Sequence, residues 1–284
     1  MINGFYKGSG RLNINKSQLV APISVIIPSY KCAATVKRAV DSIFKQSLLP
    51  SEVIIVEDFS LDETLSVLRE LERVYLGSVK IMQMQFNVGA ASARNAAWEL
   101  VQQPYVAFLD ADDSWHPDKL KIQYEYMKAN PKVTLCGHRC VWLQSNAIAP
   151  DLPKSLHVTK ISPNSLLFKN AFSTPTVMLK SDISFRFENG KRCAEDRLLW
   201  QQIAFAGLQT VRIESPLAYM HKSAYGIGGL SAQLWKMEKG ELCNFITLYR
   251  AGNIHLATYV TATLFSVIKF IKRLLMMQIR YIAP

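Results

Sequence analysis

The sequence predicts an α/β protein: a mostly parallel sheet with helices on both faces, followed by a helical tail. Three observations lead there. Short apolar runs alternate with segments of helical periodicity through the first 130 residues, the pattern of successive strand–helix–strand units. Several of those runs are continuously apolar, as strands covered on both faces are. Three carboxylates then follow directly on one such run, in Phe108-Leu109-Asp110-Ala111-Asp112-Asp113. That puts acids at the carboxyl edge of a sheet, where open α/β folds bind ligands.

The elements follow in order. The first 20 residues are polar and lack the apolar stretch of a secretory signal, so they read as a flexible leader that leaves the rest in the cytosol. Residues 23–27 form the first strand. Val36, Ala39, Val40, Ile43 and Phe44 recur at helical spacing. Residues 53–56 are the second strand. Asp62-Glu63-Thr64 opens a helix carrying Leu65, Leu68 and Leu71, its acids suited to the N-terminal end. Residues 79–82 are the third strand, 89–101 an Ala-rich helix and 105–109 the fourth strand. Pro117 starts a helix reaching about Ala129. Right-handed crossovers are the default for such units.

Regularity then declines. Residues 133–142 read as a strand, 145–160 as a loop with Pro150 and Pro153, and 176–179 as a short strand. A helix over 195–206 carries Leu198, Leu199, Ile203 and Ala206 on one side and ends at Gly207. Residues 211–213 and 217–220 read as two short strands. The tail has no Lys, Arg, Asp or Glu over 251–268, and no acid after Glu241. Lys269, Arg273 and Arg280 fall near one helical face beside Phe270, Leu274 and Met277, which suits a helix lying in the interface of an anionic bilayer. Packing on the domain is the alternative; His255 and Asn253 weigh against a membrane span.

With 284 residues, 49% hydrophobic and 19% charged, the chain can bury a full core. Its net charge of +11 suits anionic partners, but no basic recognition helix or aromatic–basic stacking motif is present, so nucleic acid is not expected. Five scattered cysteines read as free thiols. The acids of 110–113 repel one another and call for a cation. Oxygen-only ligands favour Mg²⁺ or Mn²⁺, usually shared with substrate phosphates. In an extended segment Asp110 and Asp112 would point to the same side. At the other strand ends, Pro28-Ser29-Tyr30 could frame a flat base, and Asp58 could accept a base N–H or ribose hydroxyl. Gly89 permits a tight turn, and Arg94, one helical turn on, could face a phosphate or the acids. Glu195-Asp196 opens a helix, where the dipole alone would also favour acids.

Four segments in order carry a resemblance: Ile-Pro-Ser-Tyr at 27–30, Val-Glu-Asp-Phe-Ser-Leu-Asp-Glu-Thr at 56–64, Asn-Val-Gly-Ala-Ala-Ser-Ala-Arg-Asn at 87–95, and Phe-Leu-Asp-Ala-Asp-Asp at 108–113. The chain resembles the family 2 glycosyltransferases of GT-A fold, strongly over 23–130 and more weakly through 225. The resemblance implies a Rossmann-like sheet, with Pro28, Ser29, Tyr30 and Asp58 holding the nucleotide base and Arg94 beside the nucleotide. Asp110 would reach the ribose or the metal, Ala111 would lie against the nucleotide sugar, and Asp112 would bind a Mg²⁺ or Mn²⁺ bridging the diphosphate. Asp196 would be the catalytic base, with Glu195 as its substitute, and His221 would lie near the diphosphate. The implied division is a leader (1–20), a nucleotide-sugar-binding half (21–130), an acceptor-binding and catalytic half (131–232) and an amphipathic membrane-associating tail (233–284).

The implied activity is an inverting, metal-dependent transfer from a nucleotide sugar, a UDP-sugar first among them, to a glycan or lipid-linked glycan. This would serve bacterial surface polysaccharide assembly at the inner face of the cell membrane. Glu57, Phe59, Lys31 and Met220 depart from the family pattern, the first three around the base pocket and the last at the diphosphate. A catalytically inactive nucleotide-sugar-binding scaffold is the alternative. An aspartate-based phosphohydrolase is a further one, from the superficial likeness of Asp-Ala-Asp-Asp.

Overall fold

The computed structural model describes residues 19–143, 152–153, 155–221 and 234–282, with side chains to 276. The expected leader lies outside the described residues except for Leu19 and Val20, and Val20 already begins the first strand.

The first half builds as its pattern predicts. Strands β1 (Val20–Ser29), β2 (Leu49–Glu57), β3 (Val79–Gln83) and β4 (Tyr105–Phe108) pair in parallel, in the order β3-β2-β1-β4. Helices α1 (Val36–Phe44), α2 (Thr64–Val74) and α3 (Ala90–Trp98) cross between them. The continuous apolar runs are explained by burial on both faces. Val25 and Ile27 of β1 join one core layer with Val36, Val40 and Ile43 of α1 and Leu68 and Leu71 of α2. Ile26 joins the opposite layer with Ala93 and Ala97 of α3. Alternation along a strand sends neighbours to opposite faces, and here both faces are apolar.

The second half completes a nine-stranded sheet in mixed orientation. Strand β5 (Asp113–Trp115) was not evident from the sequence; it pairs antiparallel with β9 (Gln209–Met220) at the far edge. Helix α4 (Lys119–Ala129) starts two residues after Pro117. Strand β6 (Val133–Trp142) runs parallel to β9. The loop expected over 145–160 contains a strand, β7 (Val158–Lys160), on β9; residues 144–151 and 154 lie outside the described residues. A short helix, α5 (Ser165–Phe168), and a 3-10 turn (Thr174–Thr176) lead into β8 (Met178–Lys180), two residues later than expected. Helix α6 (Glu195–Phe205) packs Leu199 and Ile203 into the second core layer.

Two expectations about strands are corrected. Residues 211–213 and 217–220 belong to one strand, β9. Glu214 and Ser215 are absorbed at a register shift, where His138 pairs Ile213 but Arg139 pairs Pro216. The irregularity leaves Glu214 and Ser215 out of the pairing with β6, and the strand resumes at Pro216 opposite Arg139. Nor are residues 110–112 extended: the Asp113 N–H donates to the Asp110 carbonyl at 3.1 Å, closing a turn.

The tail forms α7 (Leu234–Arg250) and α8 (Leu256–Ile282). Phe245, Leu248, Ile254 and Ala262 pack against Leu167 and Leu198 in a third apolar cluster. The basic face expected for the tail is turned differently. Phe270 is buried, and half-buried Lys269 donates inward to the Phe168 carbonyl at 3.4 Å. Outward point Leu256, Val260, Leu264, Ile268, Ile271 and Leu275. Side chains of Met277 and Arg280 lie outside the described residues. Among the described residues no helix is long and apolar enough to cross a membrane.

Candidate active site

A cleft of about 580 Å³ opens at the carboxyl ends of β1, β2 and β4. Pro28, Ser29, Tyr30, Asp58, Arg94, Asp110, Ala111, Asp112, Glu195 and Asp196 all line it, so residues spread over 169 positions of sequence meet in one place, as expected. His221 is not on the lining. Its Nε2 lies 2.8 Å from Ser114 Oγ, directly behind Asp113. Burial, and then the charge of Arg38, lower the His221 pKa and favour the neutral ring.

The nucleus of the cleft is a buried arginine. Arg94 reaches Asp110 Oδ1 at 2.7 Å through Nη2 and Glu195 Oε1 at 3.0 Å through Nη1. Small Ala91, Ala93 and Ala97 are buried alongside it on α3 and let the helix sit close to the sheet. Burial alone would weaken the Arg94 charge, but Asp110 and Glu195 more than offset it and hold its pKa raised. Of the two alternatives for Arg94, a phosphate or the acids, the structure shows the acids.

Asp58 is heavily engaged. It accepts from the Val88 N–H at 2.7 Å, the Gly89 N–H at 2.8 Å and Asn87 Nδ2 at 2.9 Å. Arg192 donates to Asn87 Oδ1 at 2.7 Å and lies over Gly89, where a Cβ would stand 3.2 Å from its guanidinium. Gly89 also has φ +86°, which a side chain would disfavour. The turn carrying Asp112 is held by Arg38, whose Nη2 donates to the Asp112 carbonyl at 2.6 Å.

Asp196 is set by its neighbours. Thr174 Oγ1 donates to Oδ2 at 2.9 Å, and the Arg197 N–H donates to Oδ1 at 2.6 Å. Burial, and then the charge of Glu195, push its pKa up to about 6. That is a carboxylate still ionised at neutral pH but more basic than usual, the property expected of a general base. Thr174, Arg38, Asn87 and Arg192 are the residues that reading the sequence left without roles. Only Asn87, within its motif, carried any signal.

A divalent cation fits this donor set in a restricted way. Among the described residues no three His, Cys, Asp or Glu side chains are gathered to hold a metal by themselves, and Asp110 Oδ1 is engaged by Arg94. What the chain offers is hard carboxylate oxygen in a polar cleft. Mg²⁺ and comparable ions are commonly bound through one or two carboxylates plus substrate phosphates and water.

Residues 24–179 match the glycosyl transferase family 2 profile, more than half of the chain. The chain belongs to glycosyl transferase family 2. Two relatives are glycosyltransferases by name. TuaG of Bacillus subtilis, named for teichuronic acid biosynthesis, is 43% identical over 105 residues, covering 37% of this chain and 41% of TuaG. The Escherichia coli enzyme WfgD, a UDP-Glc:alpha-D-GlcNAc-diphosphoundecaprenol beta-1,3-glucosyltransferase, is 29% identical over 181 residues, 64% of this chain and 69% of WfgD. Solved structures confirm the GT-A fold. Staphylococcus aureus TarS residues 1–349 in complex with UDP-GlcNAc matches with a TM-score of 0.64 at 17% identity, over 85% of this chain and 70% of that one. A mannosyltransferase from Pyrobaculum calidifontis in complex with GDP-Man and Mn²⁺ matches with 0.61 at 19% identity, over 87% and 73%.

Proposed function

We propose that this chain is an inverting, metal-dependent glycosyltransferase that moves a sugar from a nucleotide donor, a UDP-sugar first among candidates, to an acceptor hydroxyl on a lipid-linked or envelope glycan. The observation that carries the reading is the meeting of two acid groups in one cleft. Asp110 and Asp112 come from the turn after β4, and Asp196, poised near pH 6, comes from the start of α6.

In this reading Pro28, Ser29, Tyr30 and Asp58 seat the base. Asp58 also keeps the 87–89 turn closed, so it has little accepting capacity left for the ligand. Asp112, with Asp110, would hold the cation, which would supply Lewis-acid stabilisation of the departing diphosphate. Arg94 bridges Asp110 and Glu195 and offsets part of their charge. Asp196 accepts the proton of the acceptor hydroxyl as its oxygen bonds to the anomeric carbon and the bond to the diphosphate breaks. One displacement inverts the centre. His221, neutral and braced on Ser114, stands beside the acid turn on the diphosphate side. Arg192 lines the same cleft as a cation that the family pattern did not suggest. Asp110 Oδ1 is paired with Arg94, which leaves Oδ2 for a cation and disfavours Asp110 as the nucleophile of a phosphohydrolase.

The acceptor assignment is supported by WfgD, whose name specifies a diphosphoundecaprenol-linked acceptor, and by the outward apolar face of α8, which favours peripheral contact with the inner face of a membrane. The test is a thermal-shift screen of UDP-, GDP- and dTDP-sugars with and without Mn²⁺, followed by transfer assays. One donor should raise the melting temperature, and only with metal. Asp196→Asn should keep that shift and lose transfer by at least a hundredfold, the scale of general-base catalysis. A shift with no turnover over a broad acceptor panel would favour the inactive scaffold.

A further inference from the structure

Just before Glu195 and Asp196 the backbone turns left-handed: Ala194 has φ 55° and ψ 28°, a conformation disfavoured for a residue with a Cβ. Helix α7 holds that turn from behind. Fully buried Asn244 donates from Nδ2 to the Ala194 carbonyl at 2.8 Å. One turn earlier on the same helix, Gly240 faces Cys193 so closely that a Cβ would lie 2.8 Å from the Cys193 carbonyl oxygen. Between them Glu241 pairs with Arg197 at 2.6 Å, and Arg197 donates to the Leu166 and Leu167 carbonyls. Glu195-Asp196 is therefore tied to the tail on both sides, through the Ala194 carbonyl before it and the Arg197 side chain after it.

None of Gly240, Glu241 and Asn244 lines the cleft. Asn244 sits next to Phe245 and one turn from Leu248, both fully buried, and its Oδ1 has no hydrogen-bond partner among the described residues. An apolar side chain would suit such a place better, because a half-satisfied buried amide is destabilising. What the amide supplies is one hydrogen bond to the strained turn.

We propose that Asn244 and Gly240 are positioning residues, holding the 193–194 turn so that the Asp196 carboxylate enters the cleft in its productive orientation. Helix α7 then belongs to the catalytic apparatus as its backing, although it lies beyond the matched family segment. The inference rests on Asp196 being the base.

The test uses the full chain with Asn244→Ala and Gly240→Ala, and Lys239→Ala on the exposed side of α7 as control. Measured are nucleotide release from the UDP-, GDP- and dTDP-sugar panel, Mn²⁺–UDP affinity by calorimetry, and melting temperature. Both variants should lose roughly tenfold to a hundredfold in kcat, the scale of a small misplacement of a catalytic group. Donor KM and Mn²⁺–UDP affinity should stay within about twofold, and Lys239→Ala should match the parent. If Asn244→Ala does not fold, Gly240→Ala carries the same readout. Parental kcat in the folded variants, or a kcat loss matched by an equal loss of UDP affinity, overturns the proposal. Asp196→Asn separates the two levels. Retained transfer in that variant sinks the base assignment and this inference with it; lost transfer, with Asn244→Ala and Gly240→Ala unimpaired, sinks the positioning role alone.

Discussion

Thr174 tempers how basic Asp196 is. Its hydroxyl donates to the carboxylate at 2.9 Å, which favours the ionised form. Burial and the Glu195 charge act the other way and prevail over Arg94, Thr174 and the Arg197 N–H, in that order of size. A base must be ionised to accept a proton, so kcat/KM should be flat above about pH 6 and fall as pH drops through it. Thr174→Val keeps the shape of the side chain and removes the donor. The Asp196 pKa then rises, and the acid limb of the pH profile should move to higher pH by up to about one unit, the scale of one charge-assisted hydrogen bond. A pH–rate profile of the variant checks this; an unmoved limb would mean that Asp196 is not the titrating group.

Among the elements, β6 carries the tightest packing constraint. A Cβ on Gly137 would stand 2.2 Å from Phe172 Cδ1 and 2.8 Å from Cε1. Phe172 is fully buried and lies just before Ser173 and Thr174. Gly137→Ala should therefore cost about 1–3 kcal/mol, as overpacking does, and lower the melting temperature by several degrees. Adding Phe172→Leu should recover part of the loss, and a double-mutant cycle measures the coupling. That constraint was invisible in the sequence, where Gly137 is one residue in a strand. The strands that could be read were β1, β2 and β4, whose apolar runs record burial on two faces. Strand β5 could not, since Asp113 and Ser114 are polar and extended only through pairing with β9. Strand β9 looked broken because Glu214, Ser215 and Pro216 interrupt its apolar run, where a register shift carries the strand through. The site divides along the same line. Asp58, Arg94, Asp110, Asp112 and Asp196 stand in motifs or at element ends, where local sequence marks them. Thr174, Arg38 and Asn244 act through proximity created by the fold, and no spacing announces them.

At the scale of the whole molecule the tail presents an uncovered apolar stripe. Ser266 is buried and Lys269 half-buried against the protein, while Leu256, Leu264, Ile268 and Leu275 are 58%, 58%, 65% and 54% exposed. A soluble helix buries its apolar stripe, so this face calls for an apolar covering. No acid follows Glu241, and Lys272 is exposed beside the stripe, which suits anionic headgroups. The chain should therefore sediment with phosphatidylglycerol vesicles, more strongly at low salt. Each large apolar side chain removed from the bilayer boundary costs about 1.5–3 kcal/mol. Leu264→Glu together with Ile268→Glu should thus weaken vesicle binding by well over tenfold, while leaving transfer to a water-soluble acceptor unchanged. Unaltered vesicle binding in that variant would remove α8 from the membrane contact. A change in sedimentation coefficient without vesicles would instead identify a second copy of the chain as what covers the stripe. Because α7 both backs the Asp196 turn and packs against α8, a membrane-seated tail would also fix the cleft's height above the lipid.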